Sequence, residues 1–271
     1  MPQGQWQRQQ LGDMVVYRPV WPPGCQAIMT TRSGGASEPP YDRLNLGFHV
    51  GDDAQKVAFN RRQLSQAAGM GEQPWATVDQ VHGTAMMDVT TPVPERPLGE
   101  ADGMITAKTG VPLAVFGADC GILLFFDAGA RRIAAAHAGW RGTVQGLSEK
   151  VIQQMVAAGS NTGDIWVAIG AVIGPCCYPV GPEVVELFMA RWPFASAVLG
   201  HEVDHQGKRT LHLARAQQLQ CEAAGVPAGQ IAMLDRCTCC SPEFFSYRRD
   251  GRTGRHGALI WLEEEGGGKR G

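Results

Sequence analysis

Six apolar runs of four or five residues, separated by helical windows and by short turns rich in Gly or Asp, constrain this chain most. They are Pro112–Phe116, Ile122–Phe126, Ile133–Ala136, Ile165–Ile169, Ile231–Leu234 and Ala258–Leu262. Runs this short, bounded by turn residues, suit buried strands better than helices. Between them the spacing changes to that of a helix. Asp52 or Asp53 can cap a helix running to about Ala68, with Val57, Leu64 and Ala68 near one face and Gly69 as a stop. A second helix is predicted after Thr143, with Val144, Leu147, Val151, Ile152 and Met155 at helical spacing and Gly159 just past its end. Alternation of this kind predicts mixed sheets covered by helices, an α+β fold.

The 35 glycines and 17 prolines are dispersed and no repeat recurs, so the chain reads as one domain over 13–262. The polar, Gly-rich ends, 1–12 and 263–271, read as frayed tails. Twenty-four Lys+Arg against 26 Asp+Glu leave a net charge of -2, which argues against a strongly basic nucleic-acid binder. The most apolar stretch, 111–126, is broken by Asp119 and by Gly and Pro, so no membrane span is expected. The N-terminus lacks the charged-then-apolar layout of an export signal. Eight cysteines without such a signal point to the cytoplasm, where thiols are packed, catalytic or metal-bound. With no long heptad or basic stripe, a monomer is the default expectation.

Several motifs fail on context. His201-Glu202-Val203-Asp204-His205 matches the H-E-x-x-H zinc pattern, but Gly200 and Gly207 flank it and Val203 and Asp204 sit inside, so a surface loop is expected. Cys237-Thr238-Cys239-Cys240 contains C-x-x-C, yet a structural zinc site needs a second pair and Cys176-Cys177 lacks the usual spacing; buried thiols are the favoured reading. Pro175-Cys176-Cys177 does not complete a zinc deaminase signature either. No Walker A loop, G-x-S-x-G elbow or H-x-H pair is present.

Three segments remain in which a metal-competent side chain lies beside glycine or at a strand end: Gln80-Val81-His82-Gly83, Ala118-Asp119-Cys120-Gly121 and Ala136-His137-Ala138-Gly139-Trp140-Arg141-Gly142. Two imidazoles and a thiolate form a borderline-soft set suited to Zn²⁺, and three protein ligands leave a fourth position open, as in catalytic zinc sites. The competing reading of each is a packed core residue.

These motifs, with IGPCCYPVG at 173–181, CT followed by FFSYRRDGRTGR at 244–255, and TTRSGGASEPPYDRLNLGFHVGDD upstream, closely resemble the YfiH-type family. Its members are described as purine nucleoside phosphorylases, polyphenol oxidases (laccases) and peptidoglycan editing factors. The resemblance runs from about Trp21 to Leu262. It implies a single-domain α/β/β/α sandwich similar to the catalytic domain of cytotoxic necrotizing factor, and metal ligands at His82, Cys120 and His137. It further implies phosphate-dependent cleavage of adenosine, inosine, guanosine and S-methyl-5'-thioadenosine, and deamination of adenosine to inosine.

Within the matched motifs, Arg32, Arg141 and Arg248 are the candidate phosphate clamp, and Asn45, His49 and Tyr178 the candidates for ribose or base contact. Asp119 is read either as a proton shuttle or as an orienter of its neighbours. Two alternatives use the same residues: an amidase that edits peptidoglycan precursors with Cys120 as nucleophile, and a Cu²⁺-dependent phenol oxidase. A non-enzymatic protein with a structural metal is a further reading. Departures from the family pattern are mild: Ile122 stands where proline is frequent, Arg43 where a small residue is usual, and Cys239-Cys240 where an aromatic is usual.

Overall fold

Chain order in the computed structural model, which describes residues 4–90 and 96–264, begins with a hairpin of β1 (Gln5–Leu11) and β2 (Met14–Val20), followed by β3 (Cys25–Thr30). Helix α1 (Ala54–Ala68) comes next, then β4 (Met86–Asp88), β5 (Gly103–Thr106), β6 (Leu113–Gly117), β7 (Gly121–Asp127) and β8 (Arg132–Ala138). After α2 (Trp140–Val144) and α3 (Leu147–Ala157) follow β9 (Ile165–Ile169), β10 (Pro179–Val180), α4 (Pro182–Arg191), β11 (Arg209–Thr210) and α5 (Leu213–Ala223). Strand β12 (Ile231–Met233), helix α6 (Tyr247–Asp250) and strand β13 (His256–Leu262) complete the order.

Two sheets stack. The first, β1-β2-β3-β13-β6, is antiparallel throughout, and the second, β12-β9-β7-β8-β5-β4, is mixed, with parallel pairs only at its two edges. Of these two sheets one is mixed and one is not, and β10 and β11 pair in a separate two-stranded antiparallel ribbon. Strand β7 shows how the layers form. Leu124 and Phe126 join Met29, Val115 and Ile260 between the sheets, while Leu123 and Phe125 face α3, α4 and α5 through Val151, Phe188 and Ala216. This two-residue alternation explains why a strand buried on both faces reads as a continuous apolar run. On the far side of the first sheet Leu64 of α1 packs with Val16, Ile28 and Leu259. The layers are thus helix, sheet, sheet, helix.

Helix α1 starts and stops where the sequence predicts, with the Asp53 side chain accepting from Gln55 N–H and Gly69 left-handed at the end. The second predicted helix does not run unbroken from Thr143. It is split at Gly146, whose φ of +82° suits glycine and interrupts the helical path between α2 and α3. Residues 5–11 are not a frayed tail but an edge strand. Their side chains are mostly exposed, so the segment carries no apolar signature; its backbone pairs with β2, and the Trp6 indole N–H donates to the Ala232 carbonyl at 3.4 Å. Glu263 is held too, accepting from Gln26 at 2.6 Å, whereas 265–271 lie outside the described residues. Among the described residues no helix is long and apolar enough to cross a membrane.

Candidate metal centre and its cavity

Antiparallel pairing of β7 with β8 sets Ile122 opposite His137, and His137 shares the parity of Ile133 and Ala135, which face the other sheet. Cys120 immediately precedes β7, and His82 comes from the loop before β4 with φ of +61°. One ligand atom from each of the three lies within 4.8 Å of the others, and the two imidazole rings meet edge-on at 4.9 Å.

Asp102, which the sequence did not single out, organises this meeting. It is fully buried immediately before β5, and one carboxylate oxygen accepts from His137 Nδ1 at 2.9 Å and from His82 N–H at 3.0 Å. The other accepts from Gly83 N–H at 2.6 Å and Val81 N–H at 3.3 Å. Burial alone would raise its pKa, but these hydrogen bonds hold it below the usual carboxylate value. An ionised Asp102 places the His137 proton on Nδ1 and frees the Nε2 lone pair for a ligand.

Burial would likewise raise the Cys120 thiol, yet the imidazoles of His137 and His82 bring it down to about 6. His137 responds in the opposite sense, pushed down by burial but carried up to about 9 by Cys120 and Asp102. The two side chains thus favour a proton held between them, which a cation bound by both would displace. Gly139 completes the cradle. A Cβ there would stand 3.0 Å from Cys120 Sγ and 3.2 Å from His82 Nδ1, so the space between these donors exists because the residue is glycine. Two nitrogens, one sulfur, an anchored imidazole and a cleared space fit zinc with an open position.

A cavity of about 500 Å³ opens at this centre. It is lined by His82, Asp119, Cys120 and His137, and by His49, Arg141, Tyr178 and Arg248 from the candidate binding set. Gln80, Phe116, Tyr247 and Arg255 also line it; each lay within or beside a matched motif without being chosen for a role. Arg32 and Asn45 are not among the lining residues. The Arg32 guanidinium pairs with Asp42 at 3.0 Å and sits 4.9 Å over Phe245, so its charge is already engaged. Buried Asn45 accepts from Gly47 and Arg255 N–H groups and donates to Asp52, so it supports the cavity through the backbone of Arg255.

Asp119, with φ of +96°, has both oxygens occupied: Thr238 O–H and Arg248 N–H each donate at 2.6 Å. That favours orientation over proton transfer. Residues 201–205 form no helix; Asp204 accepts from Gln206 and Lys208 N–H groups in an exposed turn, as expected. The C-x-x-C thiols depart from the buried-thiol reading, because Cys240 is exposed and Cys237 half-buried. Their sulfurs converge with those of Cys176 and Cys177. Chain separation hid this, since contacts between residues 63 and 64 positions apart leave no local spacing to read.

A family model described as "Multi-copper polyphenol oxidoreductase laccase" matches residues 26–263. The purine nucleoside phosphorylase YlmD of Geobacillus stearothermophilus is 39% identical, the match covering 89% of this chain and 92% of that protein. Its crystal structure superposes with a TM-score of 0.88 at 37% identity, over 95% of this chain and 99% of that one. The chain belongs to the YfiH family. Another YfiH-family protein, the purine nucleoside phosphorylase YfiH of Escherichia coli K12, is 40% identical over 90% of this chain and 97% of its own. The crystal structure of the Bacillus licheniformis hypothetical protein YfiH matches with a TM-score of 0.84 at 33% identity, over 88% of this chain and 93% of that one. Single-domain α+β architecture with a mixed sheet is thus a property this YfiH-family chain shares with solved relatives.

Proposed function

We propose that this chain is a zinc-dependent purine nucleoside enzyme of the cytoplasm, acting as a monomer. It cleaves adenosine, inosine, guanosine and S-methyl-5'-thioadenosine with phosphate and deaminates adenosine to inosine. The observation that carries the reading is the meeting of a His–Cys–His set and three guanidinium side chains, Arg141, Arg248 and Arg255, around one cavity, in a chain 39% identical to a protein named purine nucleoside phosphorylase.

Fixed positive charge from the arginines suits phosphate, whose oxygens a guanidinium takes two at a time. Phosphate held there brings negative charge against the positive charge that develops on the ribose as the phosphate O–C1′ bond forms and the C1′–N9 bond breaks. Phe116, Tyr178 and Tyr247 offer aromatic faces to the purine. Burial keeps the Tyr178 hydroxyl protonated, so it donates. His49, driven toward its neutral form by burial and by Arg255, presents one donor and one acceptor to a sugar hydroxyl. Asp119 holds the Arg248 backbone in place, and Asp102 fixes the His137 tautomer. When bound by His82, Cys120 and His137, zinc supplies a Lewis acid that makes water acidic near neutral pH, the chemistry that deamination at C6 of adenine requires.

One observation favours a second reading. A Cys120 thiol brought to about 6 opposite His137 resembles an activated cysteine nucleophile, as an amidase editing peptidoglycan precursors would need. Rapid alkylation of Cys120 by iodoacetamide in untreated protein supports the amidase; alkylation only after chelation supports zinc. The same donors bind Cu²⁺ more tightly than Zn²⁺, so phenol oxidation that appears only after copper loading marks metal substitution, and stoichiometric copper in the native protein would support the oxidase.

The deciding experiment incubates the protein with adenosine, with and without phosphate, with Cys120→Ala as control. Adenine only with phosphate, or inosine without it, both lost in the variant, is the expected result. No product from folded, zinc-loaded protein overturns the proposal.

A further inference from the structure

A second cluster of metal-competent side chains lies outside the centre described above. The sulfurs of Cys176, Cys177, Cys237 and Cys240 all lie within 4.8 Å of one another, with Cys177–Cys240 at 3.3 Å and Cys176–Cys240 at 3.4 Å. Disulfide sulfurs stand about 2.05 Å apart. Four sulfurs at about 2.3 Å from a tetrahedral zinc ion stand about 3.8 Å from one another, much nearer to what is seen.

Packing accounts for only part of the cluster, since Cys177 and Cys237 rest against the core but Cys176 and Cys240 do not. Cys176 and Cys240 are exposed and the other two half-buried, in contrast to Cys25 and Cys221, which are buried as apolar thiols usually are. Cys237 and Cys240 have the C-x-x-C spacing of half a structural zinc site. The adjacent pair Cys176-Cys177, which lacks that spacing, supplies the other half through the fold. Backbone support is present as well: Gly174 N–H donates to Cys237 Sγ at 3.2 Å, the kind of contact that stabilises a coordinating thiolate.

We propose that Cys176, Cys177, Cys237 and Cys240 form a second, all-thiolate zinc site, separate from the His82–Cys120–His137 centre, that clamps together two loops of the cavity wall. Tyr178 follows Cys177 directly and lines the cavity. Thr238 follows Cys237 and donates to Asp119, whose other oxygen holds the Arg248 backbone, while the Arg248 guanidinium donates to the Cys177 carbonyl at 3.3 Å. Arg249 ties the carbonyls of Thr238, Cys239 and Ser241, bracing the loop that carries Cys237 and Cys240. The clamp is structural: four protein ligands leave no open position.

The test counts zinc per chain in full-length protein purified without strong chelator. Wild type is expected to hold two ions, Cys176→Ser/Cys240→Ser one, and His82→Ala/Cys120→Ala one. The last variant keeps all four clustered thiols and reads their site even if the serine variant fails to fold. Its cobalt-loaded form is expected to show the strong sulfur-to-metal charge-transfer absorption and visible bands of a tetrahedral thiolate site. In hydrogen exchange, the serine variant is expected to lose protection at 173–178 and 237–249. The proposal is overturned by a His82→Ala/Cys120→Ala protein without zinc, by iron in its place, by a disulfide among the four cysteines in the native mass, or by unchanged exchange in a folded serine variant. These readouts use no substrate, so they stand or fall independently of the proposed nucleoside activity.

Discussion

Asp102 touches both histidines of the candidate metal centre without belonging to the His82–Cys120–His137 set. Substitution by Asn keeps the shape but removes the charge that holds the His137 Nδ1 proton. Zinc affinity of Asp102→Asn is expected to fall about 10–100-fold, measured by competition with a chromophoric chelator, with the far-ultraviolet circular dichroism unchanged. A retained affinity would show that the carboxylate only fills space. At Gly139 the backbone, with φ of −67° and ψ of −178°, is one that alanine adopts freely, so Gly139→Ala tests the cradle and not the chain path. Its Cβ would crowd Cys120 Sγ and His82 Nδ1, and zinc binding is expected to weaken about tenfold with little change in melting temperature. The histidines and the cysteine were legible because each sits in a glycine-marked motif. Asp102 also precedes a glycine, Gly103, but an Asp-Gly step reads locally as an ordinary turn, and it is the pairing of Gly103 with Ala136 that brings Asp102 to His137.

Among the elements, the N-terminal strand departs furthest from its sequence pattern. Strand β1 pairs with β2 from Gln5 opposite Val20 to Leu11 opposite Met14, and Arg8 reaches Glu243 at 3.1 Å. Deleting residues 1–11 exposes the edge of β2, an invitation to pairing between chains. The truncated protein is expected to melt earlier and to aggregate on heating while keeping its zinc stoichiometry. Unchanged melting would mean that the hairpin contributes nothing to the sandwich. The α2–α3 junction is sensitive for a different reason. Gly146 is left-handed, and a Cβ there would approach the Trp192 ring at 3.2 Å, so Gly146→Ala is expected to cost about 1–3 kcal/mol in urea unfolding. The periodicity of Val144 through Met155 was right about the buried face, but it carries no information about a break that preserves that face.

Across the whole molecule, His256 at the start of β13 ties stability to pH. It is fully buried with its ring edge-on to Phe244 at 5.6 Å, and among the described residues neither ring nitrogen has a hydrogen-bond partner. Burial first, and Arg255 second, push its pKa down to about 3. The unfolded chain takes up this proton near pH 6.5 and the folded chain does not, so stability is complete above that pH and declines as pH falls toward 3. The melting temperature of His256→Leu is expected to fall less steeply across this window than that of the wild type; identical slopes would assign acid sensitivity to other groups. What the sequence determined by itself is local: the cap and stop of α1, the buried run of β7, the metal-competent candidates His82, Cys120 and His137, and the motifs that resemble one family. Tertiary structure alone decided the partnership of Asp102 with both histidines, the convergence of four distant cysteines, and the engagement of Arg32 and Asn45 outside the cavity. It also decided that a polar N-terminus pairs as a strand. Periodicity and caps arise from neighbours along the chain, whereas these outcomes depend on the register and stacking of two sheets, which bring together residues that no local spacing relates.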